Sequence, residues 1–337
     1  MADMTISSQT AVGRVTFLQL EGYNLLAWLG TDDQHSLNIS ASADLDFPSS
    51  STGQAGSAQS SLCGTSVVVM PDGVNGYVGW VNGSDKISIA KISAGTPEDG
   101  AAPQWSLGTV VSIQAAQPAS PPTIGLGTQN GHLVLNVIWQ DGGLGCLAVA
   151  QLLVGDEAAT TAYRPLGKPV SSTGMPSLAT SRWGSYLAWP SQDAGGGYLL
   201  NLVQDPEGGI NFDFDRQLIH AVACQTGVAY VPLGTDAGYG VYSDSAGVHY
   251  VQIARSAKGG WVVNPSTAAG MSGTIGGSVP QAPVNGSGVR FKRAGTGGAL
   301  VSLVWPADIA GQPSGSIAIS AFQPVFAPVP VVAFATA

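Results

Sequence analysis

Charged side chains are scarce in this sequence, and their scarcity argues against several classes of protein. Only 10% of the 337 residues are charged, and 12 Lys and Arg stand against 21 Asp and Glu. Long amphipathic surface helices need charged residues on their solvent face, so few such helices are expected. The net charge of −9 repels phosphate groups. Neither nucleic acid nor an anionic membrane surface is therefore an expected partner.

The sequence also lacks a membrane-spanning run and a recognisable leader. No uninterrupted apolar stretch reaches the roughly 20 residues that a transmembrane helix needs. The first residues, MADMTISS, have neither the basic nor the apolar region of a secretory signal. We therefore expect a cytoplasmic protein, or one released or exported by a non-classical route.

Cysteine and histidine are few and widely separated. The three cysteines, Cys63, Cys146 and Cys224, form no CxxC pair, which argues against a disulfide framework and a zinc site. The four histidines show no HxH or HExxH spacing. The sequence therefore predicts neither a bound metal nor another cofactor.

Glycine and proline, by contrast, are abundant, with 46 and 21 residues respectively. They fall with Asp, Ser and Asn into clusters that separate short runs rich in Val, Ile, Leu and Tyr. Apolar residues at helical spacing are not found. Short β-rich runs bounded by turn residues are typical of an all-β protein with many strands.

One short pattern recurs along the chain at intervals of roughly 50–60 residues. It is an apolar run that ends in an aromatic residue, as in LLAWLGTD, GYVGWVNGSD and SYLAWPSQD. In every copy an Asp follows within a few positions, which predicts a turn because Asp caps its own backbone. The aromatic positions are Trp28, Trp80, Trp139, Trp189, Tyr242 and Trp305.

An alternating strand follows each turn, a shorter strand often follows that one, and another run precedes each aromatic strand. Six units of four antiparallel strands predict a six-bladed β-propeller in a single domain. The blades are expected at about 12–56, 57–117, 118–171, 172–218, 219–278 and 279–337. A seven-bladed or irregularly closed ring is the alternative. Either Ile6–Phe17 or Val325–Phe334 is expected to complete a sheet with the other end of the chain.

The repeated aromatic residues are expected to pack between blades. Alternation along the strand places Leu26 and Trp28 on one face and Ala27 on the other. A large ring beside a small residue suits interlocking between neighbouring sheets.

The first copy, LLAWLGTDDQHSLNISASADLDF, resembles a repeat of bacterial propeller proteins that reads roughly YLAWTGTD, LNV and SxDGxxF. Its last part is similar to the Asp box of sialidases, SxDxGxxW, with Asp46 and Phe47 in place of Gly and Trp. The resemblance is good over residues 25–47, recognisable near Trp189 and faint elsewhere. It implies lectins, sialidases and modules of toxins or surface machinery as relatives. It supports the fold and names no activity.

Catalysis is not the expected function. A sialidase would need three arginines on a carboxylate and a Tyr nucleophile activated by Glu, but no Arg recurs at matching places in successive units. The chain has only four Glu, and Glu98, Glu157 and Glu207 stand in turn-like contexts. Other glycosidases need only a pair of carboxylates, so a glycoside hydrolase stays an alternative.

Carbohydrate binding is the expected function. Lectin-like sites combine an aromatic ring that stacks on a sugar with a few polar groups that fix its orientation. Three tryptophans stand outside the repeated position: Trp105, Trp183 and Trp261. Trp183 has Arg182 beside it and is the strongest candidate to contact a ligand.

A protein-interaction or assembly module is the main alternative. The C-terminal stretch FQPVFAPVPVVAFATA is apolar and interrupted by three prolines, and the mean hydropathy of the chain is +0.20. An exposed tail of this kind would be a docking element for a protein partner.

Overall fold

A computed structural model describes residues 2–20, 22–33, 35–42, 62–96, 101–114, 116–156, 162–222, 227–244, 247–256, 259–264, 272–275, 285–290, 300–307 and 316–322. These residues form an all-β protein, as the sequence predicts, with one 3₁₀ turn at Phe214–Arg216. Within these ranges, no helix has the length and the apolar composition that crossing a membrane requires.

The strands are β1 (Ala2–Gln19), β2 (Asn24–Gly30), β3 (Leu37–Ser42), β4 (Ser66–Val69), β5 (Asn75–Val81), β6 (Ile87–Ala94), β7 (Trp105–Ile113), β8 (Thr123–Gln129), β9 (His132–Asp141), β10 (Cys146–Leu153), β11 (Tyr163–Pro165), β12 (Ser177–Ser181), β13 (Gly184–Gln192), β14 (Tyr198–Asp205), β15 (Leu218–Val222), β16 (Val228–Pro232), β17 (Ala237–Asp244), β18 (Gly247–Arg255), β19 (Trp261–Val263), β20 (Ser272–Ile275), β21 (Asn285–Arg290), β22 (Leu300–Ala307) and β23 (Ser316–Phe322).

Four of the sheets are antiparallel meanders in chain order. They consist of β4–β7, β8–β11, β12–β15 and β16–β19, and β20 pairs with β18 at one side of the last. The β12–β15 sheet continues to Val222, so the predicted unit boundary at 218/219 falls at the start of its last strand. Every repeated aromatic residue lies in the second strand of its unit, so the sequence repeat marks the same strand in each unit.

The N-terminal strand β1 takes part in both halves of a six-stranded sheet with the order β21-β22-β23-β1-β2-β3. Its residues Ala2–Thr10 pair with β23, and Ala11–Gln19 pair with β2. The prediction that the segment near Ile6–Phe17 completes a sheet with the other end of the chain is thereby confirmed, and its residues Ile6 and Thr10 are the ones that pair with β23. The other predicted closing segment, Val325–Phe334, lies outside the described residues.

The sheets pack face to face through their second strands. Leu26 and Trp28 share a buried cluster with Val304, Ile317 and Ile319, so the two halves of the six-stranded sheet lie against each other. On its opposite face, β2 contributes Leu25, Ala27 and Leu29 to a cluster with Trp80 of the next sheet. Trp139 and Trp189 likewise lie in clusters with the sheet that precedes their own.

Turns after the aromatic strands are capped largely as the sequence predicts. Asp193 Oδ1 accepts hydrogen bonds from the amides of Gly195 and Gly197, both at 2.8 Å. The second unit differs, because Asp85 adopts a positive φ of 52° and Asn82 Oδ1 accepts from Ser84 N and Lys86 N instead. Asn and Asp are interchangeable acceptors in such turns, so the cap has moved along the sequence.

Replacing Asp193 with alanine is expected to lower the free energy of unfolding by about 1 kcal/mol, since two amides lose their acceptor in an exposed turn. Urea unfolding of Asp193→Ala beside Asp193→Asn measures the effect. Asparagine keeps one acceptor oxygen and should recover most of the loss. Equal stability of all three proteins would show that the cap contributes nothing.

Candidate functional site

Arg182 and Trp183 form the turn between β12 and β13. Ser181 Oγ accepts a hydrogen bond from Trp183 N at 3.2 Å, and Gly184 closes the turn with a φ of +117°. A Cβ at Gly184 would lie 2.4 Å from the Asp205 carbonyl oxygen, so the turn requires glycine. Arg182 is exposed, Trp183 is half-buried, and the guanidinium lies 4.7 Å from the ring centroid. The turn therefore presents an aromatic ring and a cation together at the surface.

Two buried side chains contact the backbone carbonyl of Trp183. Its carbonyl oxygen accepts from Gln204 Nε2 at 3.2 Å, and the Tyr186 hydroxyl lies 3.4 Å away. The same hydroxyl lies 3.1 Å from the carbonyl oxygen of Gly234 in the next sheet. Supporting contacts of this kind fix the position of a surface group before any ligand arrives.

Arg255 extends this support into the β16–β19 sheet. Its Nη2 donates to Gln204 Oε1, its Nη1 donates to Gly259 O at 2.8 Å, and its Nε lies 3.4 Å from Asp236 Oδ1. Its guanidinium also covers the ring of Trp261 at 4.7 Å. A continuous polar bridge thus ties the Trp183 turn to the neighbouring sheet.

Burial raises the pKa of Tyr186 to about 12. In the unfolded chain this phenol ionises near pH 10, so the folded protein holds the proton more tightly than the unfolded chain does. The free energy of unfolding therefore falls as the pH rises from 10 toward 12. Chemical unfolding at several alkaline pH values should show a shallower loss for Tyr186→Phe than for the wild type. Some loss should remain, because burial also raises the pKa of Tyr230. Identical profiles would contradict the assignment.

The other two candidate tryptophans lie in the interior. Trp105 is 2% exposed and packs between the first two units of the chain, and Trp261 is 6% exposed and packs on Tyr186 and Tyr230. Neither ring is presented to solvent, whereas that of Trp183 is partly exposed. Five of the six aromatic residues of the repeated position are also buried: Trp28, Trp80, Trp139, Trp189 and Trp305. The sixth, Tyr242, is half-buried and stacks on His249.

A cavity of about 460 Å³ lies among the first strands β1, β4, β8, β12 and β16. One side of it is lined by the alternate residues Arg14, Thr16 and Leu18 of β1 and by Leu20, which directly follows that strand. Trp183 and Pro232 lie at the end opposite Arg14. Among the described residues that line this axial cavity, Arg14 is the only charged one.

The described residues contain no cluster of three or more His, Cys, Asp or Glu side chains that could hold a metal ion. Arg182 and Trp183, predicted from the sequence as ligand contacts, lie together at one turn, whereas Tyr186, Gln204, Arg255 and Arg14 were not predicted. Tyr186 and Gln204 are paired on neighbouring strands, Arg14 and Arg255 come from distant ones, and no local pattern marks any of the four.

Comparison with known proteins gives a likeness of fold. No protein-family model and no curated protein sequence matches the chain. A triple arginine-to-alanine mutant of AofleA from Arthrobotrys oligospora matches with a TM-score of 0.60 at 12% identity, covering 96% of this chain and 86% of that one.

Two further structural matches are weaker. A mutant of Trypanosoma rangeli sialidase displaying trans-sialidase activity has a TM-score of 0.49 at 12% identity, over 92% of this chain and 54% of that one. The GH43 protein BlXynB from Bacillus licheniformis has a TM-score of 0.46 at 9% identity, over 83% and 60%. The chain is thus an all-β protein of antiparallel four- to six-stranded sheets, and its fold is like that of the AofleA mutant.

Proposed function

We propose that this chain is a single six-bladed β-propeller that binds carbohydrate without transforming it. The blade count is supported by the arrangement of the first strands. β1, β4, β8, β12, β16 and β21 each lie beside the next, and β21 lies beside β1. In this proposal the six-stranded sheet is two blades, with β1 as the last strand of one and the first strand of the other.

The observation that carries the binding proposal is the pair of exposed Arg182 and half-buried Trp183, with Trp183 at the mouth of the axial cavity. An indole ring offers apolar area to the C–H face of a sugar at little cost in conformational entropy. A guanidinium has five N–H donors in a fixed fork, which suits the hydroxyls around a pyranose. The bridge through Gln204 and Arg255 holds the backbone of this turn in place.

The site is proposed to recognise glycans on a surface, through a shallow contact at one turn. A guanidinium 4.7 Å from the ring centroid covers one side of the indole. The sugar would therefore use the other side or displace Arg182 onto its hydroxyls. Trp105 and Trp261, the other predicted contacts, would act through packing rather than by touching the ligand, since both are buried.

Two alternative functions make different demands on the chain. A protein-interaction module would use the apolar segment after Gln323, which lies outside the described residues. A glycoside hydrolase of sialidase-like architecture would need a pair of carboxylates facing the substrate. The described residues that line the axial cavity contribute none.

A glycan array probed with the purified full chain tests the proposal. Saturable binding to a set of related sugars is expected, and Arg182→Ala should reduce it across the set. Arg164→Ala is a matched control, because Arg164 is an exposed arginine on β11 in a different sheet. No binding to any glycan, with the protein shown to be folded, would contradict the proposal.

A further inference from the structure

The end of the axial cavity farthest from Trp183 is polar. The first residues of three successive inner strands lie there: Ser66 of β4, Thr123 of β8 and Ser177 of β12. Arg14 of β1 lines the same end, about 20 Å along the strand from Leu20 at the rise of an extended chain. The walls nearer the mouth are mainly apolar, with Leu18, Val69 and Leu126 as examples.

Arg14 crosses the cavity toward a strand that is distant in sequence. Its side chain is 3% exposed, and its Nη1 donates to the carbonyl oxygen of Pro176, which precedes β12, at 2.7 Å. This contact fixes the guanidinium across the floor of the cavity. Burial lowers the pKa of Arg14 to about 10, so the group keeps its positive charge at neutral pH.

The three hydroxyls have protons to donate. Ser66 Oγ accepts from Ile124 N at 3.0 Å, and Thr123 Oγ1 accepts from Leu178 N at 2.8 Å. A hydroxyl that accepts one hydrogen bond still has its own O–H proton. Within the described part of the chain, no acceptor takes these two protons, and no described residue forms a hydrogen bond with the hydroxyl of Ser177, a residue 5% exposed.

We propose that the floor of the axial cavity is a binding site for an oxyanion, the carboxylate or phosphate group of a small molecule, held by Arg14, Ser66, Thr123 and Ser177. Arg14 is 3% exposed, and a fixed positive charge that is buried attracts an anion more strongly than the same charge on the surface. Charge-assisted hydrogen bonds from guanidinium and hydroxyl groups match the oxygens of such an anion.

The cavity limits the size of the ligand. A volume of about 460 Å³ lies at the lower end of the range for small-molecule sites. The apolar walls above the floor suit a short hydrocarbon portion attached to the anion. This site goes beyond glycan recognition and lies at the opposite end of the cavity from Trp183, so either activity can fail without the other.

Thermal unfolding with increasing inorganic phosphate, and separately with acetate, tests the site. Sodium chloride holds the ionic strength constant throughout. An anion that binds only the folded protein raises the unfolding temperature as its concentration passes the dissociation constant. A saturable rise of the unfolding temperature with phosphate but not with acetate would identify a phosphate site. A rise with acetate but not with phosphate would identify a carboxylate site.

Two variants and one control locate the binding. Arg14→Gln should weaken it by at least about tenfold, and Ser177→Ala by a few-fold, because each removes donors to the anion. Arg164→Gln, on an exposed strand, should bind like the wild type. If Arg14→Gln fails to fold, the affinity of Ser177→Ala tests the site instead. This variant is expected to fold, since the Ser177 hydroxyl makes no hydrogen bond with the described residues. Absence of a rise with both anions, or wild-type binding by Ser177→Ala, would overturn the proposal.

Discussion

Replacing Trp139 with alanine is expected to lower the free energy of unfolding by about 3–5 kcal/mol. The ring is fully buried between the β4–β7 and β8–β11 sheets, and its centroid lies 5.3 Å from that of Tyr163. Its Nε1 also donates to Asp141 Oδ2 at 2.9 Å. The substitution therefore creates a cavity and removes one donor from a buried carboxylate.

Phenylalanine at the same position separates the two contributions. Trp139→Phe keeps much of the apolar volume but removes the hydrogen bond to Asp141, which should cost roughly 1–3 kcal/mol beyond the loss of volume. Trp80→Phe is the matched control, because Trp80 is also buried in a second strand while its Nε1 has no hydrogen-bond partner in the described part of the chain. Equal losses in urea unfolding of both phenylalanine variants would contradict a role for the Trp139–Asp141 bond.

Deleting residues 2–10 is expected to remove at least about 3 kcal/mol of stability, at a net value of about 1 kcal/mol for each ladder hydrogen bond. These residues pair with β23 from Ala2 opposite Ala321 to Thr10 opposite Ser316. Their loss would leave β23 as an exposed edge, which favours pairing with other chains. Chemical unfolding and sedimentation measure the two effects.

A synthetic peptide with the sequence ADMTISSQT supplies the control for the deletion. Added in trans, it should restore stability by adding a strand to the exposed edge of β23. A scrambled peptide should not. If the truncated chain were as stable as the full chain, the closing role of β1 would be wrong.

The repeated features of the fold could be predicted because each is a local pattern. The position of Trp28 and Trp189 in second strands follows from the run that precedes each aromatic strand, and the turn at Asp193 from an Asp that closely follows that strand. The shift of the cap from Asp85 to Asn82 was not predicted, since either residue type can cap such a turn. The count of six blades was predicted from the repeat, and it stays a proposal.

The candidate sites depend on contacts between distant segments, which one sequence does not reveal. Arg14 donates to Pro176, 162 positions along the chain, and Arg255 reaches Gln204 across a sheet boundary. Only Arg182 and Trp183 are neighbours in the sequence. Trp105, Trp183 and Trp261 all stand near strand ends or turns in the sequence, and only packing between sheets distinguishes the two buried rings from the half-buried ring of Trp183.

The most direct test of the central claim is a calorimetric titration of the array-selected glycan into the wild-type protein and into Trp183→Ala. Stacking on an aromatic ring contributes on the order of 1–2 kcal/mol, so the variant should bind about tenfold more weakly while it unfolds at nearly the same temperature. An unchanged dissociation constant in a folded Trp183→Ala protein would contradict binding at this turn.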